Sequence, residues 1–160
     1  IKIKALMIKI NLLLNNPAWK NYLKNPNIYL EKKLKSFNLK NKMYRKKIFF
    51  CTLLLSGDFE IKKLNKKFRK KNRSTDVLSF PFYNKNDLKK KLYKDKEIYL
   101  GDIIINLNKI KFRKEIKNFR NEFNKLWVHG LVHLFGYDHK KDKDFKNMLR
   151  IEKRFLSYLS

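Results

Sequence analysis

The stretch at 129–139, HGLVHLFGYDH, holds all three histidines of this 160-residue chain. His129 and His133 are four residues apart, so their imidazoles share one face if the segment is helical. Gly136 accepts a positive φ, which predicts that the helix ends there and that a turn brings His139 back to the pair. Three imidazoles that leave one coordination position open are typical of a catalytic zinc site. The pattern therefore predicts one bound Zn²⁺.

The identity of the metal and the class of reaction need separate arguments. Imidazole suits zinc, but copper and nickel also accept nitrogen ligands, so the spacing alone does not determine the metal. The spacing also matches the zinc-peptidase signature H-E-x-x-H-x-x-G-x-x-H. Residue 130 is Gly, where the peptidases carry the Glu that acts as general base. Because glycine cannot accept a proton, this substitution argues against peptide hydrolysis.

Size and composition indicate one globular domain over residues 1–160, with 43% hydrophobic residues. The single cysteine, Cys51, lies in the apolar run IFFCTLLL, excludes an intramolecular disulfide and favours a cytoplasmic location. The sequence shows no apolar stretch of membrane-spanning length. Lys9 interrupts the N-terminal IKIKALMIKINLLL, which we interpret as a first strand rather than a signal peptide.

The net charge of +27, from 41 basic and 14 acidic residues, favours a polyanionic partner such as nucleic acid. Most of the basic residues are lysines, and Asn, Ile and Phe are also abundant. That composition is equally typical of a chain from an AT-rich genome. The charge alone leaves both explanations open.

The apolar pattern predicts a mixture of strands and helices. Strands are expected at 3–13, 48–55, 75–82 and 97–106. Helices are expected at 17–38, 59–71 and 142–158, with two more between 108 and 135 separated near 117–120. The polar segment 84–96 is expected to be a solvated hairpin connection. This order predicts an α+β fold: a small mixed sheet of about four strands covered by helices, with the metal site on a late helix and the following turn.

Two helices carry more detailed expectations. Asp58 is expected to N-cap the helix at 59–71, whose inward residues are Ile61, Leu64 and Phe68. The helix that carries the first two histidines is expected to bury its other face, formed by Phe123, Leu126, Leu131 and Leu134.

Three segments together resemble a known family. They are VHGLVHLFGYDH at 128–139, LNKKFRKKNRSTDVLSFPF at 64–82 and LGDIIIN at 100–106. In their order along the chain they are similar to motifs of the YbeY family of bacterial single-strand-specific endoribonucleases, metal-dependent enzymes of ribosomal RNA maturation. The N-terminal third matches none of the motifs.

The resemblance implies a zinc-dependent endoribonuclease that cleaves single-stranded RNA, acts in ribosomal RNA 3′-end maturation and ribosome quality control, and has the ribosome or ribosomal proteins as partners. It implies that His129, His133 and His139 are the zinc ligands and that Arg69 is the functional arginine near the metal. The chain departs from the family at Lys125, where many members carry a further His, so no role is transferred to that position.

These residues suggest a mechanism with alternatives. Zinc-bound hydroxide would either attack phosphorus or deprotonate the ribose 2′-OH, and the sequence does not choose between them. The planar guanidinium of Arg69 can donate to two phosphate oxygens. Alternatively, Arg69 is an ordinary surface residue of the basic run KKFRKKNR. The basic runs at 62–73 and 85–96 would form a rim along the RNA backbone or, alternatively, solvated faces.

Several other residues have two interpretations. Asp138 either orients an imidazole or caps the last helix, and Asp76 and Asp102 are assigned to turns and caps. Ordinary strand packing is expected, with RNA contact as the alternative, for Ser79, Phe80, Phe82 and Tyr83. Two alternative functions remain open for the protein. It is either a non-catalytic RNA- or ribosome-binding protein with a structural metal, or a relative of the zinc peptidases.

Overall fold

A four-stranded mixed sheet forms the centre of the computed structural model, which describes residues 7–43, 46–111 and 113–160. Its strands are β1 (Met7–Leu14), β2 (Ile48–Ser56), β3 (Val77–Pro81) and β4 (Glu97–Asn106), in the order β1-β2-β4-β3. The pairs β1–β2 and β2–β4 are parallel, and β3 pairs antiparallel with β4 at the edge. The predicted mixed sheet is therefore confirmed.

Five α-helices lie in the described part of the chain. They are α1 (Pro26–Lys40), α2 (Asp58–Arg69), α3 (Lys85–Lys94), α4 (Ile116–Leu134) and α5 (Asp142–Ser157). Two short 3₁₀ segments span Pro17–Asn21 and Leu107–Lys109. None of the described helices is both long and apolar enough to cross a membrane.

The two faces of the sheet pack against different helices. Because side chains alternate along a strand, Ile103 and Ile105 face one side and Ile104 the other. The first two join the main core, together with buried residues of α1, α4 and α5. Ile104 joins a smaller cluster with Leu78 and with Ile61 of α2. The predicted apolar face of α4 lies in the main core as well.

The strand predictions agree with the structure, and several helix boundaries do not. β1 confirms the first predicted strand from residue 7 onward, while residues 3–6 lie outside the described chain. The single helix predicted at 17–38 is a 3₁₀ turn followed by α1, which begins at Pro26 with the Asn25 side chain accepting from the backbone N–H of Ile28. Proline suits this first position because it needs no backbone donor there.

The predicted break near 117–120 is wrong, since α4 runs from residue 116 without interruption. The predicted N-cap is also wrong: Gly57 is the N-cap of α2, and Asp58 is its first residue. The Asp58 carboxylate accepts hydrogen bonds from Ser74 Oγ at 2.7 Å and from Asn106 Nδ2 at 2.7 Å, and these bonds lower its pKa. Of the predicted inward residues of α2, Ile61 is buried and Phe68 is 58% exposed.

The segment at 84–96, predicted as a hairpin connection, contains helix α3 instead. The Asn84 side chain caps the helix by accepting from the backbone N–H of Asp87 at 2.9 Å. Leu88 is the buried contact that holds α3 against the rest of the molecule. The connection between the antiparallel strands β3 and β4 is therefore an ordered basic helix.

Candidate metal centre

Helix α4 ends in a glycine turn that returns the chain toward its own last turn. Gly136 has a φ of 93°, a left-handed conformation that glycine adopts without a steric penalty. Its N–H donates to the carbonyl of His133 at 2.9 Å, and the N–H of Tyr137 donates to the carbonyl of Val132 at 3.4 Å. These bonds close the helix end and place His139 beside the last turn, as predicted.

The three histidines converge on one point. The Nε2 atoms of His129 and His133 lie 3.2 Å apart, and ligand atoms of all three residues, His139 included, lie within 4.8 Å of one another. Two nitrogens bound to one tetrahedral zinc at ~2.05 Å are separated by roughly 3.3 Å. The first pair already has that spacing, so the donor set fits a single small cation.

Hydrogen bonds at the far side of each ring fix the orientation of the first two imidazoles. His133 Nδ1 lies 2.9 Å from the carbonyl oxygen of Tyr137, and His129 Nδ1 lies 2.6 Å from Oε1 of Glu152 on α5. Both oxygens only accept, so each Nδ1 donates and, in the neutral ring, each Nε2 carries a lone pair. Two lone pairs facing each other at 3.2 Å repel unless a metal ion or a proton lies between them. The two neutral rings are therefore arranged as a pair of ligands for one metal ion.

The electrostatics also keep a ligand ring neutral. The pKa of His133 falls to about 4, mainly because the ring is desolvated by burial and also because His129 is close. An imidazole that stays neutral at physiological pH keeps its nitrogen available to a metal.

Gly130 is required by packing between α4 and β4. A Cβ at this position would lie 2.6 Å from Cγ2 of Ile103, which is fully buried. The peptidase glutamate at this position would collide with the sheet, so the structure strengthens the sequence argument against a peptidase.

A cavity of about 650 Å³ opens beside the histidines. Its lining includes His133, His139, Arg69 and Ser79. Arg69 Nη2 donates to the carbonyl oxygen of Ser79 at 3.0 Å, and its guanidinium lies 5.9 Å from the ring centre of Phe80. The structure thus brings the predicted arginine to the cavity that the histidines line; its catalytic role remains a prediction.

The acidic residues singled out in the sequence take up local roles. Asp138 accepts from the backbone N–H of His139 at 2.7 Å, and α5 has Lys141 at its N-cap, so neither predicted role of Asp138 is the observed one. Asp76 accepts from the N–H of Val77 at 2.8 Å, as expected for a turn residue. The turn or cap role predicted for Asp102 is wrong, because Asp102 lies within β4, where it accepts from the hydroxyl of Tyr99.

The residues of β3 and of the segment that follows it also differ in environment. Ser79 is buried, Phe80 and Tyr83 are half-buried and Phe82 is 64% exposed. Lys125, where the sequence departs from the family pattern, is exposed on α4. Ordinary packing therefore describes Ser79, Phe80 and Tyr83 better than it describes Phe82.

Sequence reasoning missed Glu152. It lies on α5 beside the buried residues Met148, Ile151 and Phe155, on the side of the helix that meets α4. A carboxylate next to an apolar seam was the available signal, because such a group needs a partner when it is partly buried.

Comparison with known proteins identifies a family for the chain. The model of the Endoribonuclease YbeY family matches residues 16–160. The chain is 43% identical to Endoribonuclease YbeY of Pelagibacter ubique, over 91% of this chain and 92% of the relative. It is 36% identical to the protein of the same name from Mycoplasmopsis synoviae, over 89% of each chain.

A solved structure shows the same fold. The solution structure of TM1509 from Thermotoga maritima superposes with a TM-score of 0.54 at 28% identity, over 94% of this chain and 89% of that one. Together with the sequence matches, this places the chain in the YbeY endoribonuclease family.

Proposed function

We propose that this member of the family is a zinc-dependent endoribonuclease that cleaves single-stranded RNA. Its substrates are ribosomal RNA precursors during 3′-end maturation and RNA removed in ribosome quality control, so it works in the cytoplasm with the ribosome or ribosomal proteins as partners. Residues 1–160 act as a single catalytic domain. The observation that carries the proposal is the pair of Nε2 atoms 3.2 Å apart, beside a cavity that Arg69 also lines.

The ligands in this proposal are His129, His133 and His139. Zinc bound there supplies Lewis-acid activation of water near neutral pH. Glu152 and the Tyr137 carbonyl hold the Nδ1 protons of two of the rings, which keeps both Nε2 atoms directed at the same point. Such contacts behind metal ligands fix both the tautomer and the ring angle.

Arg69 supplies positive charge to the scissile phosphate. One of its N–H groups is held by the Ser79 carbonyl, and the guanidinium has further donors suited to phosphate oxygens. Because the Ser79 carbonyl belongs to the edge strand β3, the guanidinium is positioned by the sheet before the substrate arrives. We propose that it stabilises the charge that develops on phosphorus.

Two routes for strand cleavage fit these groups, and the ends of the product distinguish them. Direct attack by water leaves a 5′-phosphate and a 3′-hydroxyl. Attack by the ribose 2′-OH leaves a 2′,3′-cyclic phosphate. End-group analysis of the cleaved RNA therefore decides the route.

The proposal is tested by cleavage of a single-stranded RNA in the presence of added zinc, with the metal content of each protein measured in parallel. His133→Ala is expected to lose both bound metal and cleavage. Lys117→Ala, which changes an exposed residue at the start of the same helix, is the control and is expected to retain both. Equal cleavage by the wild type and by His133→Ala would refute the catalytic role.

A further inference from the structure

Helix α3 presents a basic surface to solvent. We define the α3 face as Asn86, Lys89, Lys90, Tyr93 and Lys94, which together line a shallow surface groove. All five are exposed, and Tyr93 is 90% exposed. An aromatic ring so exposed among lysines buries little apolar surface, so folding does not account for it.

The α3 face is continuous with the cavity beside the histidines. Lys85, in the first turn of α3, lines that cavity together with His133 and His139. A Cβ built on Gly136 would lie 3.7 Å from Lys85 Cγ and 4.0 Å from Leu88 Cδ2, so α3 rests on the turn that carries His139. The helix then leads away from the cavity for about 15 Å.

The acidic residues at the ends of α3 are engaged locally. Asp87 accepts from Asn84 Nδ2 at 2.7 Å in the cap, and Asp95 lies 3.2 Å from Lys91 Nζ. Asp95 offsets the charge of Lys91, and neither aspartate belongs to the α3 face, which carries three lysines and no carboxylate. The segment 84–96, which was predicted to be a solvated connection, therefore contains a helix that exposes a row of lysines.

We propose that the α3 face binds the stretch of single-stranded RNA that flanks the cleavage site, with backbone phosphates on Lys89, Lys90 and Lys94 and a base stacked on Tyr93. Surfaces that bind single strands combine a positive groove with exposed aromatic rings in this way. Lysine is depleted in protein–protein interfaces, which favours RNA over a protein as the occupant. This inference rests on the proposed function, because it assumes that RNA enters the cavity.

The electrostatic part is tested with two triple variants of equal charge. Lys89→Gln, Lys90→Gln and Lys94→Gln are combined in one protein. The control combines Lys32→Gln, Lys35→Gln and Lys40→Gln, three exposed positions on α1. Affinity for a fluorescein-labelled single-stranded RNA of about 20 nucleotides is measured by anisotropy at several salt concentrations.

The α3 variant is expected to bind at least about tenfold more weakly, and its dependence of log K on log salt is expected to lose roughly 2 units of slope, since each phosphate contact contributes roughly 0.7. The α1 control is expected to stay close to the wild type. Equal losses in the two triple variants would show that affinity follows net charge alone, and would overturn the proposal.

The stacking part is tested with Tyr93→Ala and Tyr93→Phe. Loss of one stacked base is expected to weaken binding on the order of tenfold in Tyr93→Ala, while the phenyl ring of Tyr93→Phe retains most of the affinity. Wild-type affinity in Tyr93→Ala would remove the stacking contact from the proposal.

A short RNA that fills only the cavity separates this inference from the proposed function. The α3 triple variant is expected to cleave a trinucleotide at the wild-type rate and to lose efficiency only on the long RNA, mainly through KM. If the wild type cleaves neither RNA, the proposed function is wrong. The anisotropy measurement still tests whether the α3 face binds RNA. If the variant binds RNA normally but loses a ribosomal protein partner, the face is a protein surface and the inference is wrong.

Discussion

Oε1 of Glu152 lies 2.6 Å from Nδ1 of His129, so helix α5 reaches the metal centre on α4 through a single side chain. The contact does not depend on neighbours in sequence, since the two residues are 23 positions apart. It is formed because α4 and α5 pack against each other, with Phe135 at the C-cap of α4 in ring contact with Phe155 of α5. The packing of the last two helices thus determines the angle of a metal-facing ring.

Glu152→Ala is expected to lower zinc affinity by about 10- to 100-fold, because His129 loses the acceptor that fixes its tautomer. Zinc affinity is measured by competition with a chelator of known affinity. Glu31→Ala, which removes an exposed carboxylate on α1, is the control and is expected to bind zinc normally. Unchanged affinity in Glu152→Ala would show that the contact does not position the ring.

Removal of the metal is expected to leave the fold intact. The main core unites the sheet with α1, α4 and α5 through apolar contacts that need no ion. We expect the far-ultraviolet circular dichroism spectrum to survive chelation, while RNA cleavage is lost. Tm is expected to fall by roughly 10 °C, since zinc at a thousand times its Kd stabilises by about 4 kcal/mol. Collapse of the spectrum on chelation would support a purely structural metal.

Gly130→Ala is expected to destabilise the protein by about 1–3 kcal/mol, because the added methyl group would lie 2.6 Å from Ile103 Cγ2. Ile103→Ala alone is expected to cost about 2–5 kcal/mol through the cavity that it leaves. The double variant should cost clearly less than the two single variants together, since each change relieves the other. Denaturant unfolding measures all four proteins, and simple additivity would contradict the contact.

Arg69→Lys is expected to reduce kcat about 100-fold, because lysine keeps the charge but loses the planar fork held by the Ser79 carbonyl. Arg73→Lys changes an exposed arginine in the same basic run and serves as the matched control. Single-turnover cleavage of a short RNA measures both variants. Equal cleavage rates in Arg69→Lys and Arg73→Lys would show that Arg69 is an ordinary surface residue with no catalytic role.

Cys51 offers a test of burial. Desolvation in the core raises the pKa of its thiol to about 12, so the thiol stays protonated and inaccessible at pH 8. We expect iodoacetamide to leave the native protein unlabelled and to label the denaturant-unfolded chain fully, as read by mass spectrometry. Rapid labelling of the native chain would show that β2 is not in the core.

The raised pKa of Cys51 also predicts how the free energy of unfolding changes with pH. The unfolded thiol ionises near pH 9 while the folded one stays protonated up to about 12. The unfolded state therefore binds fewer protons in this window, and this group lowers the free energy of unfolding as pH rises above about 9. The decline is expected to be shallower in Cys51→Ala, which lacks the thiol.

The sequence predicted the sheet well and the polar helix poorly, for a physical reason. Strands such as β2 and β4 carry runs of buried β-branched and aromatic residues, and hydrophobic periodicity reports burial. Helix α3 buries Leu88 as its one fully buried residue, so its periodicity is weak. The signal that was present lies in its cap, where Asn84 and Asp87 bond to each other, a local pattern that hydropathy does not register.

The features of the candidate metal centre also fall into two groups: those that local sequence predicts and those that depend on tertiary packing. The histidine spacing and the Gly136 turn are local, so the sequence alone predicted that His139 approaches the other two. The cavity also contains Arg69, which the family resemblance indicated but the local pattern did not distinguish from its neighbouring lysines. Glu152 and the clash at Gly130 depend on how helices pack on one another and on the sheet, which only the three-dimensional structure reveals.

The distance in sequence between Glu152 and His129 also means that the two imidazoles are oriented by contacts of different range. His133 finds its backbone acceptor in Tyr137, which is synthesised only four residues later. His129, in contrast, is held only when α5 has docked on α4 and brought Glu152 to its ring. During folding, one candidate ligand can therefore be oriented by its own helix and turn, whereas the other depends on a tertiary contact.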